Sequence, residues 1–160
     1  MDIQLLSFAD KDNILKLEVE SAPDSPYYYR YSNDVKALDY IFENPISSKA
    51  FGVYEKEKLI AWCAYRTKWN DDNSHEDGQY EISSVVVDKS NRRKGIGNKL
   101  LKHSIDYIRN HQDFKSIYLT VYPGNIPALI MYLQNGFIIY DFKKDVYGPG
   151  SDRLYLSLTT

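Results

Sequence analysis

One stretch constrains this chain more than any other. Tyr80–Asp88, in which Val85, Val86 and Val87 are consecutive and β-branched, leads through Lys89 and Ser90 into Arg92, Arg93, Lys94, Gly95, Ile96, Gly97 and Asn98. Consecutive β-branched residues suit a strand buried on both faces, which puts this strand in the middle of a sheet. Beyond it, Ile96, Leu100, Leu101, Ile105 and Ile108 fall at spacings of four, one, four and three, the stripe of an amphipathic helix running to about Asn110. A loop of this kind can hold an anion. Glycine lets the backbone approach closely, the first-turn amides lack intrahelical acceptors, and the helix dipole favours negative charge. The same residues also serve as a plain turn with a solvated basic cluster. Neither the spacing of the mononucleotide P-loop nor the third glycine of the dinucleotide fingerprint is present.

The rest of the chain predicts one α/β domain spanning 1–160, since 43% hydrophobic residues, no repeat and no Gly/Ser linker leave no place for a boundary. Ile3–Phe8 reads as a first strand, followed by a helix capped by Asp10 or Asp12 that carries Ile14, Leu15, Leu17 and Val19. Pro23 and Pro26 break it, and a second helix covers Asp34–Phe42. Ala50–Tyr54 and Leu59–Arg66 form a hairpin, Ile117–Val121 a fifth strand, Ile126–Asn135 a helix closed by Gly136, and Phe137–Phe142 and Leu154–Leu158 two last strands.

Charge and cysteine usage narrow the function classes. A net charge of −2 lacks the broad basic surface that sequence-independent nucleic-acid binding needs. The lone Cys63 excludes an intrachain disulfide and a multi-cysteine zinc site, and His75, His103 and His111 show no metal-ligand spacing, so no metal is expected. With no apolar run near 18 residues and no basic leader, no membrane contact is expected and the cytoplasm is the predicted compartment; a homodimer stays open.

A second signal lies on the Ile126–Asn135 helix. Asn125, Ala128 and Tyr132 are spaced by three and four and line one face, while Ile126, Leu129, Ile130 and Leu133 are assigned to the core. Asn125 also suits a helix cap, with Pro127 tolerated in the first turn. Together the two segments resemble the GNAT acetyltransferase superfamily. Its pattern Gln/Arg-x-x-Gly-x-Gly/Ala after a central strand is matched by Arg92, Gly95 and Gly97, and its later Asn-x-x-Ala-x-x-x-Tyr followed by Gly-Phe by Asn125, Ala128, Tyr132, Gly136 and Phe137.

The resemblance implies a mixed, mostly antiparallel sheet, flanked by about four helices and splayed between two central parallel strands, with acetyl-CoA in the opening. It implies that backbone groups of Val85, Val86 and Val87 pair with the pantetheine arm and that amides from Arg93 to Asn98 hold the pyrophosphate. It also implies that Asn125 contacts the arm or its thioester end and that Tyr132 protonates the departing thiolate. Glu81, fourteen residues before Gly95, resembles the catalytic glutamate of the histone-acetylating branch and is the first candidate base, against a plain surface or salt-bridged residue; other branches place this group elsewhere or use a water chain. Direct transfer to an amine acceptor follows, with Cys63 as an acyl carrier the lesser alternative. The acceptor side is expected near Tyr27, Tyr28, Tyr29 and Tyr31 and near Asp71, Asp72, Glu76 and Asp77, which suits a small cationic amine. A peptide acceptor and an inactive acyl-CoA sensor are the other two readings.

Overall fold

The computed structural model describes residues 1–21, 31–70 and 72–160, with the backbone alone for residues 31–34. Strand β1 (Gln4–Leu5) is followed by helices α1 (Lys11–Ser21) and α2 (Tyr31–Glu43), then by strands β2 (Lys49–Glu55), β3 (Lys58–Thr67) and β4 (Gln79–Val87). Helix α3 (Ile96–His111), strand β5 (Ser116–Val121), helix α4 (Ile126–Gln134) and strands β6 (Ile138–Lys143) and β7 (Arg153–Thr159) complete the chain. The first strand is shorter than the predicted Ile3–Phe8. Ser7 leaves the strand and its amide bonds the Asp10 carboxylate at 2.8 Å, so the chain turns into α1 instead. Tyr27, Tyr28, Tyr29 and Asp71 lie outside the described residues, as does the Tyr31 side chain.

The seven strands form one sheet in the order β1-β2-β3-β4-β5-β7-β6. Every neighbouring pair is antiparallel except β4 and β5 at the centre. Two cores cover its faces. Helix α3 buries Ile96, Leu100, Leu101, Ile105 and Ile108 against one, together with Cys63, Tyr65, Ile117, Leu119 and Leu156. Helices α1 and α2 bury Ile14, Leu17, Leu38 and Ile41 against the other, with Trp62 and Ala64. The predicted α3 stripe is therefore the observed one.

Helix α4 sits the other way round from its predicted orientation. Tyr132 is its buried residue, with Ala128, Leu129 and Met131 packed on the core, whereas Ile126, Ile130 and Leu133 are 53%, 49% and 43% exposed. Of the four residues assigned to the core only Leu129 packs on it and the other three face outward, because the turn after the helix fixes its rotation. Gly136 (φ 89°) donates to the Leu133 carbonyl at 3.0 Å and Phe137 to that of Tyr132 at 3.2 Å, the paired bonds of a glycine-terminated helix end. The Phe137 ring then meets the Tyr132 ring edge-on at 6.0 Å. Gly136→Ala is expected to lose about 1–2 kcal/mol, because the left-handed backbone opposes a Cβ and that Cβ would lie 3.3 Å from Leu158 Cδ1. Thermal unfolding should show a Tm lower by a few degrees, and an unchanged Tm would remove this turn as the element that orients α4.

Candidate active site

The site begins where β4 and β5 part. Their parallel pairing covers Gln79–Ser116, Tyr80–Ile117 and Glu81–Tyr118 and goes no further, while β4 stays paired with β3 through Val87 and β5 stays paired with β7 through Val121. Among the described residues, Ile82–Val87 thus has a backbone edge without a strand partner, facing a wedge-shaped opening. Ser83 is the extra residue of a bulge, since Ala64 pairs with Ser84 and Tyr65 with Ile82. A bulge bends its strand and sharpens the local twist, which turns β4 away from β5 at the point where pairing ends. Val85, Val86 and Val87 are half-buried rather than buried on both faces as their composition predicts, because this edge borders a cleft.

A cavity of about 440 Å³ fills the wedge, with Ser84, Val85 and Val86 on one wall and Asn125, Met131 and Tyr132 on the other. Asn125 caps α4, its side-chain oxygen accepting the Ala128 amide at 3.4 Å. Tyr132 is 8% exposed and reaches the cavity from the middle of α4. Valines, Asn125 and Tyr132 thus meet in one place although some forty residues separate them in sequence.

The loop from β4 to α3 is built around Asp88. Its carboxylate accepts from Ser90 Oγ at 2.5 Å and Asn91 Nδ2 at 3.1 Å, with Lys58 Nζ at 3.5 Å. The Ser90 bond foremost, then those from Asn91 and Lys58, outweigh burial and hold the Asp88 carboxyl below its usual range. Arg92 donates from Nε to the Val87 carbonyl (3.1 Å) and from Nη2 to the Ser21 carbonyl (2.8 Å), tying the end of α1 to the end of β4. Lys94 Nζ donates to Asn91 Oδ1 at 2.9 Å, and Asn98 Oδ1 accepts from Asn135 Nδ2 at 2.7 Å, joining the start of α3 to the end of α4. The side chains of Arg92, Lys94 and Asn98 therefore brace the loop.

Main-chain groups are what the loop presents outward. Arg93 (φ 64°) and Gly95 (φ 77°) are both left-handed, and the backbone bonding of α3 starts with the Lys99 amide donating to the Gly95 carbonyl. The Ile96, Gly97 and Asn98 amides precede that bond, at the positive end of a sixteen-residue helix. Nothing stands within 4 Å of where a Gly95 Cβ would be, whereas a Gly97 Cβ would come within 3.3 Å of Val87 Cγ2. Gly95 thus serves its left-handed backbone rather than a close approach, and Gly97 seats the helix against β4.

The opposite side of the cavity is charged. Glu81 Oε2 takes Arg66 Nη2 at 3.1 Å and Nε at 3.2 Å. Deeper in, Glu18 of α1 is 7% exposed and accepts the Trp62 indole N–H at 2.8 Å. All four line the cavity, and Arg66, Trp62 and Glu18 did not figure among the predicted residues. A signal for Glu18 exists in the sequence, a glutamate inside the buried stripe Ile14, Leu17, Glu18, Ser21. The acidic loop after β3 lies elsewhere: Asp72 bonds Ser74, Glu76 bonds Gln79, and Asp72, Glu76 and Asp77 are exposed and outside the cavity wall. Cys63 is buried on the α3 face, accepts from Ser104 Oγ at 3.3 Å, and burial pushes its thiol up to about 12. It is thus not placed to carry an acyl group.

A sheet opened at its parallel centre beside the exposed amides of a helix start is the frame of a coenzyme A-dependent acyltransferase. The chain belongs to the acetyltransferase (GNAT) family, whose model matches residues 12–137. It is similar to a probable spermine N(1)-acetyltransferase of Bacillus subtilis subsp. natto, 29% identical over 89 residues, a match spanning 56% of this chain and only 59% of that relative. It is also similar to an N-alpha-acetyltransferase of Sulfolobus acidocaldarius, 24% identical over 94% of this chain and 87% of that one. An acetyltransferase-fold protein of Salmonella typhimurium, solved with its cofactor acetyl-CoA, superposes with a TM-score of 0.76 at 16% identity over 99% and 92% of the two chains. This last likeness establishes the fold.

Proposed function

We propose that this domain moves the acetyl group of acetyl-CoA directly to a primary amine of a small cationic molecule. The observation that carries the reading is the wedge itself: an open strand edge and a helix start for the donor on one side, and the carboxylates Glu18 and Glu81 for an ammonium on the other. The residues fit the donor. An extended arm would add to the edge Ile82–Val87 as a strand does, and its phosphates would meet the Ile96, Gly97 and Asn98 amides.

Bound acetyl-CoA supplies an activated thioester. Glu81, directly or through a water, takes the proton from the acceptor ammonium so that a lone pair is available, and Tyr132 Oη gives a proton to the departing sulfur. The cleft holds both partners together, so the C–N bond forms as the C–S bond breaks and no acyl-enzyme is needed. The reducing cytoplasm is the compartment proposed. A second reading, acetylation of peptide N-termini, is favoured by the near full-length match to the archaeal N-alpha-acetyltransferase.

Thiol release from acetyl-CoA, followed against polyamines, aminoglycosides and peptides, separates the two. Turnover confined to cationic small molecules is the expected result, and turnover confined to peptides would replace this reading with the second. Acetyl-CoA alone should raise Tm, and no shift at saturation would remove the donor assignment.

A further inference from the structure

Helix α1 ends without a cation of its own. Its last turn holds Glu18 and Glu20 and no basic residue, so the terminal carbonyls lack both intrahelical donors and a charge that suits the negative end of the helix dipole. The missing cations come from elsewhere in the chain. Arg92 Nη2 donates to the Ser21 carbonyl at 2.8 Å across 71 positions of sequence, and Lys58 Nζ lies 3.7 Å from Glu20 Oε2 and 3.5 Å from Asp88 Oδ1. Both ties run to the loop between β4 and α3, since Arg92 belongs to it and Asp88 is the carboxylate at its centre. With Nε on the Val87 carbonyl, the Arg92 fork spans from the end of β4 to the end of α1. This end of α1 also carries a cavity side chain. Glu18 stands one turn before Ser21 on the same buried face, 7% exposed, with Oε1 on the Trp62 indole N–H at 2.8 Å. A helix end displaced by about 1 Å takes such a bond out of range.

We propose that Arg92 is a positioning residue for the acceptor amine: its hold on the Ser21 carbonyl sets where the Glu18 carboxylate stands in the cavity. This rests on the reading of Glu18 as an ammonium-binding group given above. Charge alone would assign an arginine in the donor loop to the donor's phosphates. Its hydrogen bonds point elsewhere, because Nε and Nη2 both go to main-chain carbonyls and the guanidinium is directed to the end of α1. The two halves of the cleft thus share one side chain. Lysine does not replace it, since an ammonium is a point charge without the planar fork that reaches both carbonyls at once.

Arg92→Lys keeps the charge and breaks the fork. It should raise KM for spermine, or for whichever amine the thiol-release screen selects, about tenfold, the scale of one hydrogen bond to a charged group. Turnover at saturation and the acetyl-CoA-dependent rise in Tm should be nearly retained. A second readout needs no acceptor. The chain has two tryptophans, so a nitrogen–proton correlation spectrum holds two indole signals. In Arg92→Lys the Trp62 signal should move toward its position in Glu18→Gln, while that of Trp69, which bonds Tyr40 Oη at 3.2 Å, stays. Lys58→Gln cuts the second tie at a side chain 53% exposed and should move the Trp62 signal the same way by less; it decides the matter if Arg92→Lys does not fold. A Trp62 signal that stays in place in both variants overturns the proposal, as does an unchanged acceptor KM or a loss confined to acetyl-CoA binding. A moving Trp62 signal without turnover of any amine overturns it differently, by removing the acceptor reading beneath it.

Discussion

Tyr132→Phe is expected to lower turnover about 10²-fold or more while acetyl-CoA binding stays nearly unchanged, the scale of one positioned general acid. The ring and its contact with Phe137 at 6.0 Å remain in the variant, so the end of α4 and the cavity wall keep their shape. Only the hydroxyl goes. A phenol is protonated at neutral pH and can give its proton as sulfur leaves, where a phenylalanine leaves that charge to solvent. Single-turnover rates with thermal-shift titration of acetyl-CoA separate the chemical step from binding. Equal rates would take Tyr132 out of proton transfer, and a parallel loss of cofactor affinity would recast it as a binding residue. A domain that only senses acyl-CoA has no turnover to lose.

Legibility in the sequence followed the range of the interactions. The turn from Arg92 to Gly97 was readable as a strand-to-helix junction because it is local: two glycines, a helix start and the strand before it are consecutive in the chain. Asn125, Tyr132, Gly136 and Phe137 were readable as a pattern, yet the rotation of α4 was not. Ile126, Ile130 and Leu133 have the spacing of a core stripe, and the turn at Gly136 together with the packing of Tyr132 overrides it. The charged wall of the cavity was the least legible part. Glu18 and Trp62 are 44 residues apart and meet only because α1 packs across β3, and the Arg66–Glu81 pair needs the β3–β4 register. The open strand edge came from the family resemblance and its splayed sheet, since the β-branched run of Val85, Val86 and Val87 by itself does not foretell a pairing that ends at Glu81.

Glu81→Gln is expected to reduce the rate about 10²-fold near neutral pH and to give back much of it as pH rises. Alkyl ammonium groups lose their proton near pH 10, so each unit of pH below that point removes about nine-tenths of the attacking amine. A base beside the acceptor offsets this, and the native rate should therefore be the flatter of the two across alkaline pH. The ion pair with Arg66 supplies the competing explanation. Because Arg66 Nη2 and Nε both rest on Glu81 Oε2 at 3.1 and 3.2 Å, an uncharged partner loosens the guanidinium, and in that account the loss comes from a misplaced acceptor. Misplacement carries no pH signature. Arg66→Gln is the control, since it removes the same pair and leaves the carboxylate in the cleft. If the pair is the whole role of Glu81, both variants should lose the same factor at every pH. If Glu81 is the base, only Glu81→Gln steepens the profile, and a flat response in that variant would assign proton removal to another group.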